Sequence, residues 1–179
     1  LCLLACLASC TDKKEFQTIR ERIDLSGSWN SSLGSCTLPG TTEENKLGDG
    51  RHPTNVTSQL TRTYPYSGIV EYEKDVEIPV QMEGKRLILF MERTKPSTLW
   101  IDGDSVGTLG HIYAPHCYSL PALAPGSHHI KIRIDNSPSS VPAEIQSSHA
   151  WTDGTQTNWN GILGDFYIEA TPHTYPKQA

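Results

Sequence analysis

From Ile23 onward the chain is a series of short stretches in which apolar and polar residues alternate, separated by glycine, proline and asparagine. That period of two is the signature of half-buried β-strands. Ile23-Asp-Leu-Ser-Gly-Ser-Trp-Asn30 predicts the first. After Tyr64-Pro-Tyr-Ser-Gly68 the pattern is clearest. Tyr72, Val76 and Ile78 point one way with Lys74 between them, Glu71, Glu73, Asp75 and Glu77 point the other way, and Pro79 ends the run. Four acids at two-residue spacing read as a wet sheet face rather than a metal site. Leu87-Ile-Leu-Phe-Met91 is continuously apolar and predicts a strand covered on both faces. Leu99-Trp-Ile-Asp-Gly103 ends in an Asp-Gly pair, a hairpin signal, and Val106-Gly107 starts the return strand. His116 to Leu120 reads as an edge segment. In His128 to Asn136, Ile130, Ile132 and Ile134 face inward and His129, Lys131 and Arg133 outward. An apolar strand from Phe166 to Ala170 closes the series. No helical period of useful length appears. Strands at roughly ten-residue spacing with turns between them predict an all-β fold, an antiparallel β-sandwich.

Composition agrees. The chain has 179 residues, 36% of them hydrophobic, with 14 glycines, 12 prolines and two methionines. That suits one strand-rich domain with tails. A net charge of −5 argues against a basic nucleic-acid-binding stripe. Cys36 and Cys117 could pair or stand as free thiols. The other cysteines, Cys2, Cys6 and Cys10, sit in an apolar, uncharged opening too short to span a bilayer. Residues 1–10 read as the remnant of a secretory signal peptide. Leu7-Ala-Ser-Cys10 resembles the bacterial lipobox, which implies a lipid anchor on Cys10, a place in the cell envelope, and membrane contact through that anchor alone. Residues 11–22 would be a tether. Glu43 to Arg62 and Ser137 to Trp151 are long polar loops.

The second loop leads into the stretch that carries the candidate chemistry, Asp153-Gly-Thr-Gln-Thr-Asn-Trp-Asn-Gly-Ile-Leu-Gly164. Amides both donate to and accept from hydroxyls, and an indole offers an apolar face with a polar tip. Asn158, Trp159 and Asn160 together could hold a sugar ring, or they could hold the backbone of their own loop. His149 could be a substrate ligand, a metal ligand or a loop-packing residue. Retaining glycosidases need two carboxyl groups about 5 Å apart. No pair of that kind is evident, since Glu43 and Glu44 are chain neighbours and Asp102 and Asp104 flank a hairpin turn. The histidines show no metal-ligand spacing, and neither a metal nor a cofactor is expected.

Asn158-Trp-Asn-Gly-Ile162 with Gly164 resembles the closing motif of the sugar-binding domain that opens glycoside hydrolase family 2 enzymes, the β-galactosidases, β-glucuronidases and β-mannosidases. Other motifs of that domain follow in order. Leu25, Gly27 and Trp29 match its opening; Leu38-Pro-Gly-Thr41 matches a turn. The run from Gly68 through Tyr72, Val76 and Ile78 to Pro79 matches a strand, and Asp102-Gly103 before Val106-Gly107 matches a hairpin. The resemblance covers Ile23 to about Thr171 and implies a jelly-roll sandwich there. Residues 172–179 would begin a linker to an immunoglobulin-like domain and a barrel that carries both catalytic glutamates. It further implies a non-catalytic domain of an exo-glycosidase, binding carbohydrate and shaping the innermost sugar subsite. Thr155 stands where β-glucuronidases and β-galactosidases carry an Asp, Asp153 could substitute for it, and Asn158 matches an Asn of the β-glucuronidases. The alternatives are a stand-alone carbohydrate-binding or adhesin lipoprotein, or a purely structural envelope domain.

Overall fold

A computed structural model of the chain describes residues 20–50, 63–152 and 158–172. The expected signal remnant with Cys10, most of the tether, the long loop beyond residue 50, Asp153, Thr155 and the linker after Pro172 fall outside these residues.

The fold is all-β, as the alternation predicts. One sheet contains β1 (Glu21–Asp24), β11 (Gly161–Thr171), β6 (Arg86–Thr94) and β9 (His116–Ser119) in that order, with the short β4 (Gly40–Thr41) also paired to β11. The other runs β3 (Gly34–Leu38), β2 (Gly27–Ser31), β5 (Ile69–Ile78), β10 (Gly126–Asp135), β7 (Ser97–Ile101) and β8 (Asp104–Leu109). All neighbours are antiparallel. The alternating positions meet between the sheets. Leu87, Leu89, Met91, Phe166 and Ile168 come from the first sheet, and Tyr72, Val76, Leu99, Ile130, Ile132 and Ile134 from the second. Full burial of one such side chain contributes about 1.5–3 kcal/mol.

Three expectations change. The first predicted strand is two. β1 pairs with β11 and β2 with β3 and β5, so the chain crosses between sheets at Leu25 and Ser26. Gly27, at φ 108°, permits the crossing, and the Leu25 amide donates to the Phe166 carbonyl as the chain leaves. Strand pairing from Glu21 also places the ordered sheet two residues ahead of the expected start.

The run from Leu87 to Met91 is not covered on both faces. Leu87, Leu89 and Met91 face the core, while Ile88 and Phe90 are half-buried on the outside, where Tyr167 stacks on Phe90 at 4.8 Å. The last strand, finally, starts at Gly161 rather than Phe166. Both glycines of the motif lie inside it, and the register slips between Leu163 and Phe166. A helix of four residues (Ala143–Gln146) is α1, the one α-helix among the described residues.

The acidic face of β5 is wet, and it is also matched. In register, Glu71, Glu73 and Asp75 lie opposite Arg133, Lys131 and His129 of β10. His129 Nδ1 is 2.8 Å from Asp75, and Lys131 Nζ is 3.9 Å from Glu71. Cross-strand opposite charges each contribute roughly 0.2–1 kcal/mol. Cys36 is buried on β3 and Cys117 is exposed on β9, in different sheets, and both are free thiols.

Candidate functional site

Asn158, Trp159 and Asn160 enter β11 at one end of the sandwich, beside the start of β5, the end of β10 and the turn between β6 and β7. Two glycines set how closely that entry packs. A Cβ on Gly161, at φ 137°, would lie 2.2 Å from the Gly40 carbonyl oxygen, so only glycine lets β11 close on β4. Thr94 Oγ1 donates to the Gly161 carbonyl at 2.8 Å, and the Thr42 amide donates to the Asn160 carbonyl at 2.9 Å. In the bulge, the Glu92 carboxylate occupies the space beside Gly164 and accepts from the Asp165 amide.

The two amides of the motif differ. Asn160 is 0% exposed. Its Oδ1 accepts from the Tyr72 hydroxyl at 2.9 Å. Its Nδ2 faces the carbonyls of Gly68 and Ile134 at 3.1 Å each and Asn136 Oδ1 at 3.2 Å. Three acceptors compete for two hydrogens, so this side chain is fully engaged inside the protein. Burial raises the Tyr72 hydroxyl far above its ordinary pKa, which keeps it protonated and donating. Asn136, also fully buried, joins the network: Oδ1 accepts from the Gly68 amide, and Nδ2 donates to the Tyr66 carbonyl and to Asn158 Oδ1 at 3.1 Å. Asn158 is thus held through its oxygen at the margin of the network.

Trp159 is half-buried and His149 is exposed. The structure adds a residue that periodicity did not single out. Lys95, in the turn from β6 to β7, is only 4% exposed. Its Nζ lies 4.7 Å from the centre of the Trp151 ring and 5.0 Å from that of Trp159, so one ammonium serves both indoles. Burial lowers its pKa to about 8. Among the described residues the buried Trp151 indole N–H has no acceptor. The sequence-predicted set is therefore brought together in part. Asn158, Asn160 and Trp159 share this end of the sandwich, with Lys95, Trp151, Tyr72 and Asn136 added. The only signal for Lys95 was a charged residue between two apolar strands and before Pro96. Among the described residues no group of three His, Cys, Asp or Glu could hold a metal ion.

A second polar cluster is buried between β7 and β9, one strand from each sheet. His116, 0% exposed, has Nδ1 2.6 Å from Ser97 Oγ and Nε2 2.9 Å from the His111 carbonyl. The carbonyl needs a donor, so Nε2 carries the hydrogen and Nδ1 accepts from Ser97. Tyr118 donates to the Ser97 carbonyl at 2.7 Å and lies 2.8 Å from its hydroxyl. Burial lowers the His116 pKa to about 4, which keeps the ring neutral.

By fold, the chain is an antiparallel β-sandwich of a kind present within β-glucuronidases. It is similar to part of the Faecalibacterium prausnitzii β-glucuronidase at 18% identity and a TM-score of 0.62, over 90% of this chain and 33% of that one. The Dictyoglomus thermophilum β-D-glucuronidase gives 20%, 0.62, 88% and 29%. The Ruminococcus gnavus β-glucuronidase in complex with uronic isofagomine gives 14%, 0.63, 88% and 29%. The chain thus spans about a third of these proteins or less. No protein-family model and no curated protein matches the sequence.

Proposed function

We propose that this chain is the non-catalytic, N-terminal sugar-binding domain of a family 2 exo-glycosidase, which cleaves O-glycosyl bonds in carbohydrate metabolism. One observation carries the reading. Nine-tenths of the chain folds like one third of a β-glucuronidase, and the remaining two thirds of that enzyme have no counterpart here. The motif order from Leu25 to Gly164 supports it. Both catalytic glutamates would come from a barrel domain, behind an immunoglobulin-like domain, further along the same chain.

Within that enzyme, this end of the sandwich would face the innermost sugar subsite. Trp159 offers a half-exposed indole, Asn158 a buried amide whose oxygen is held by Asn136, and His149 an exposed imidazole, with Asp153 and Thr155 on the adjoining stretch. Asn160 is the anchor that sets their position. Cys10 would carry the lipid that fixes the enzyme to the cell envelope.

The test is kinetic, on the full gene product with aryl β-glycosides. Asn158→Ala and Trp159→Ala should each lower kcat/KM by about tenfold or more, the scale of one lost contact worth about 1.4 kcal/mol, without loss of fold. Unchanged kinetics in both variants would refute the subsite role. A gene product that binds sugar and hydrolyses none of the glycosides would instead favour a stand-alone carbohydrate-binding lipoprotein.

A further inference from the structure

Each of the four tryptophans in the chain has a lysine over its ring. Lys74 Nζ is 5.5 Å from the Trp29 ring centre and Lys131 Nζ is 4.8 Å from that of Trp100. Those two pairs lie on β2/β5 and β7/β10, strands that are hydrogen-bonded neighbours, so the sheet alone brings them together. Lys95 is different. Among the described residues it is the lysine that serves two indoles, and they come from separate places. Trp151 ends the loop that follows β10, and Trp159 begins the approach to β11. No strand pairing joins them.

The backbone around Lys95 is itself fixed. Thr94 before it pairs with Ile162 and bonds the Gly161 carbonyl, and Ser97 after it pairs with Ile134. The lysine therefore projects from a rigid turn. A long flexible side chain ordered to 4% exposure loses about 2 kcal/mol of rotamer freedom, so its fixed position must be offset by the contacts it makes. A desolvated ammonium against two indole faces provides such contacts, because the ring quadrupole attracts a cation most strongly where water is excluded. Trp151 is 2% exposed and Trp159 is half-buried. One indole is thus a fixed wall and the other still meets solvent.

We propose that Lys95 is a positioning residue: its ammonium ties the solvent-facing Trp159 to the buried Trp151 and so sets the plane of the indole offered to the sugar. The consequence for catalysis rests on the sugar-binding reading above, whereas the tie between the indoles does not.

The experiment separates the two. The full chain is labelled with 5-fluorotryptophan, and its four fluorine resonances are assigned by single Trp→Phe changes. In Lys95→Met, which keeps the length and removes the charge, the Trp151 and Trp159 resonances should both move, while those of Trp29 and Trp100 stay. Lys95→Arg should return both toward their original positions. Lys74→Met should move Trp29 alone, which shows that the readout reports single cation–indole pairs. The proposal is overturned if only one of the two indoles responds to Lys95→Met, if neither does, or if arginine fails to restore them. A urea melt of each variant identifies any that does not fold, and Lys95→Gln then takes the place of Lys95→Met. In the full gene product, the positioning role further requires that Lys95→Met lower kcat/KM for an aryl glycoside by threefold or more, with recovery in Lys95→Arg. Indole shifts with unchanged kinetics would overturn the catalytic consequence and leave the tie itself established, whereas the subsite reading falls only if Trp159→Ala and Asn158→Ala are also as fast as wild type.

Discussion

Asn160→Ala tests whether the motif amide is an anchor. Its side chain accepts one hydrogen bond from Tyr72 and has two N–H groups to share among the carbonyls of Gly68 and Ile134 and the Asn136 oxygen. Alanine removes three bonds' worth of pairing at a site with no exposure. Each neutral bond contributes about 1 kcal/mol net, and each buried group left without a partner costs about 1–3 kcal/mol. Asn136 Oδ1 keeps the Gly68 amide, the Gly68 carbonyl keeps the Asn136 amide, and Ile134 stays paired with Val70, so two bonds to carbonyls are lost and one group, the Tyr72 hydroxyl, is left without its partner. The expected loss is about 3–5 kcal/mol, a large fraction of a domain stability of about 5–15 kcal/mol. Asn160→Asp should be worse although it is nearly the same shape, because a carboxylate would face two carbonyl oxygens in a buried place. Asn158→Ala, which breaks the single bond from Asn136, should cost about 1 kcal/mol. Urea denaturation of the chain, followed by circular dichroism, gives all three values. A loss below about 1 kcal/mol for Asn160→Ala, or an Asp variant as stable as wild type, would refute the reasoning.

Other consequences follow from the same geometry. Gly161→Ala should destabilise by about 2 kcal/mol or more, through overpacking against the Gly40 carbonyl at an unfavourable φ, and its thermal midpoint should fall by several degrees. His116 takes up a proton near pH 6.5 when unfolded and only near 4 when folded. Between those values the unfolded state holds more protons, so stability should fall as pH drops from 6.5 to 4, and His116→Gln should flatten that limb of the curve. His128 has the opposite sign. The hydrogen bond to Asp102, 2.6 Å away, raises its pKa, so its contribution is full below 6.5 and disappears as pH rises through the raised value. In His128→Gln the loss of stability should therefore be larger at pH 6 than at pH 9, measured by urea titration at each pH.

The sandwich was legible because period-two alternation and the turn residues act locally. Ile130, Ile132 and Ile134 face inward as their spacing requires, and Asp102-Gly103 turns the chain where such a pair turns it. The break at Leu25 and Ser26 was not legible, because alternation continues across it while the pairing partner changes from one sheet to the other. Nor was the half-exposed side of Phe90, since a run of apolar residues does not reveal whether Tyr167, 77 positions on, covers it with a ring or leaves it open. At the candidate site, Asn158, Trp159 and Asn160 stood out by type and spacing. That Asn160 is fully engaged follows from Gly68 and Tyr72 at the start of β5 and Ile134 and Asn136 at the end of β10, two segments far from it in sequence. Lys95 was hidden for the same reason: its partners are distant in sequence and its burial depends on both.

The most direct measurement is hydrolysis of aryl β-glycosides by the full gene product, compared with its Trp159→Ala variant at equal folded concentration. The account predicts turnover by the wild type and a kcat/KM lower by about tenfold or more in the variant, which loses about 1–3 kcal/mol of stability with the Lys95 contact but stays folded. A full gene product that cleaves no β-glycoside, or a Trp159→Ala enzyme as fast as wild type, would contradict it.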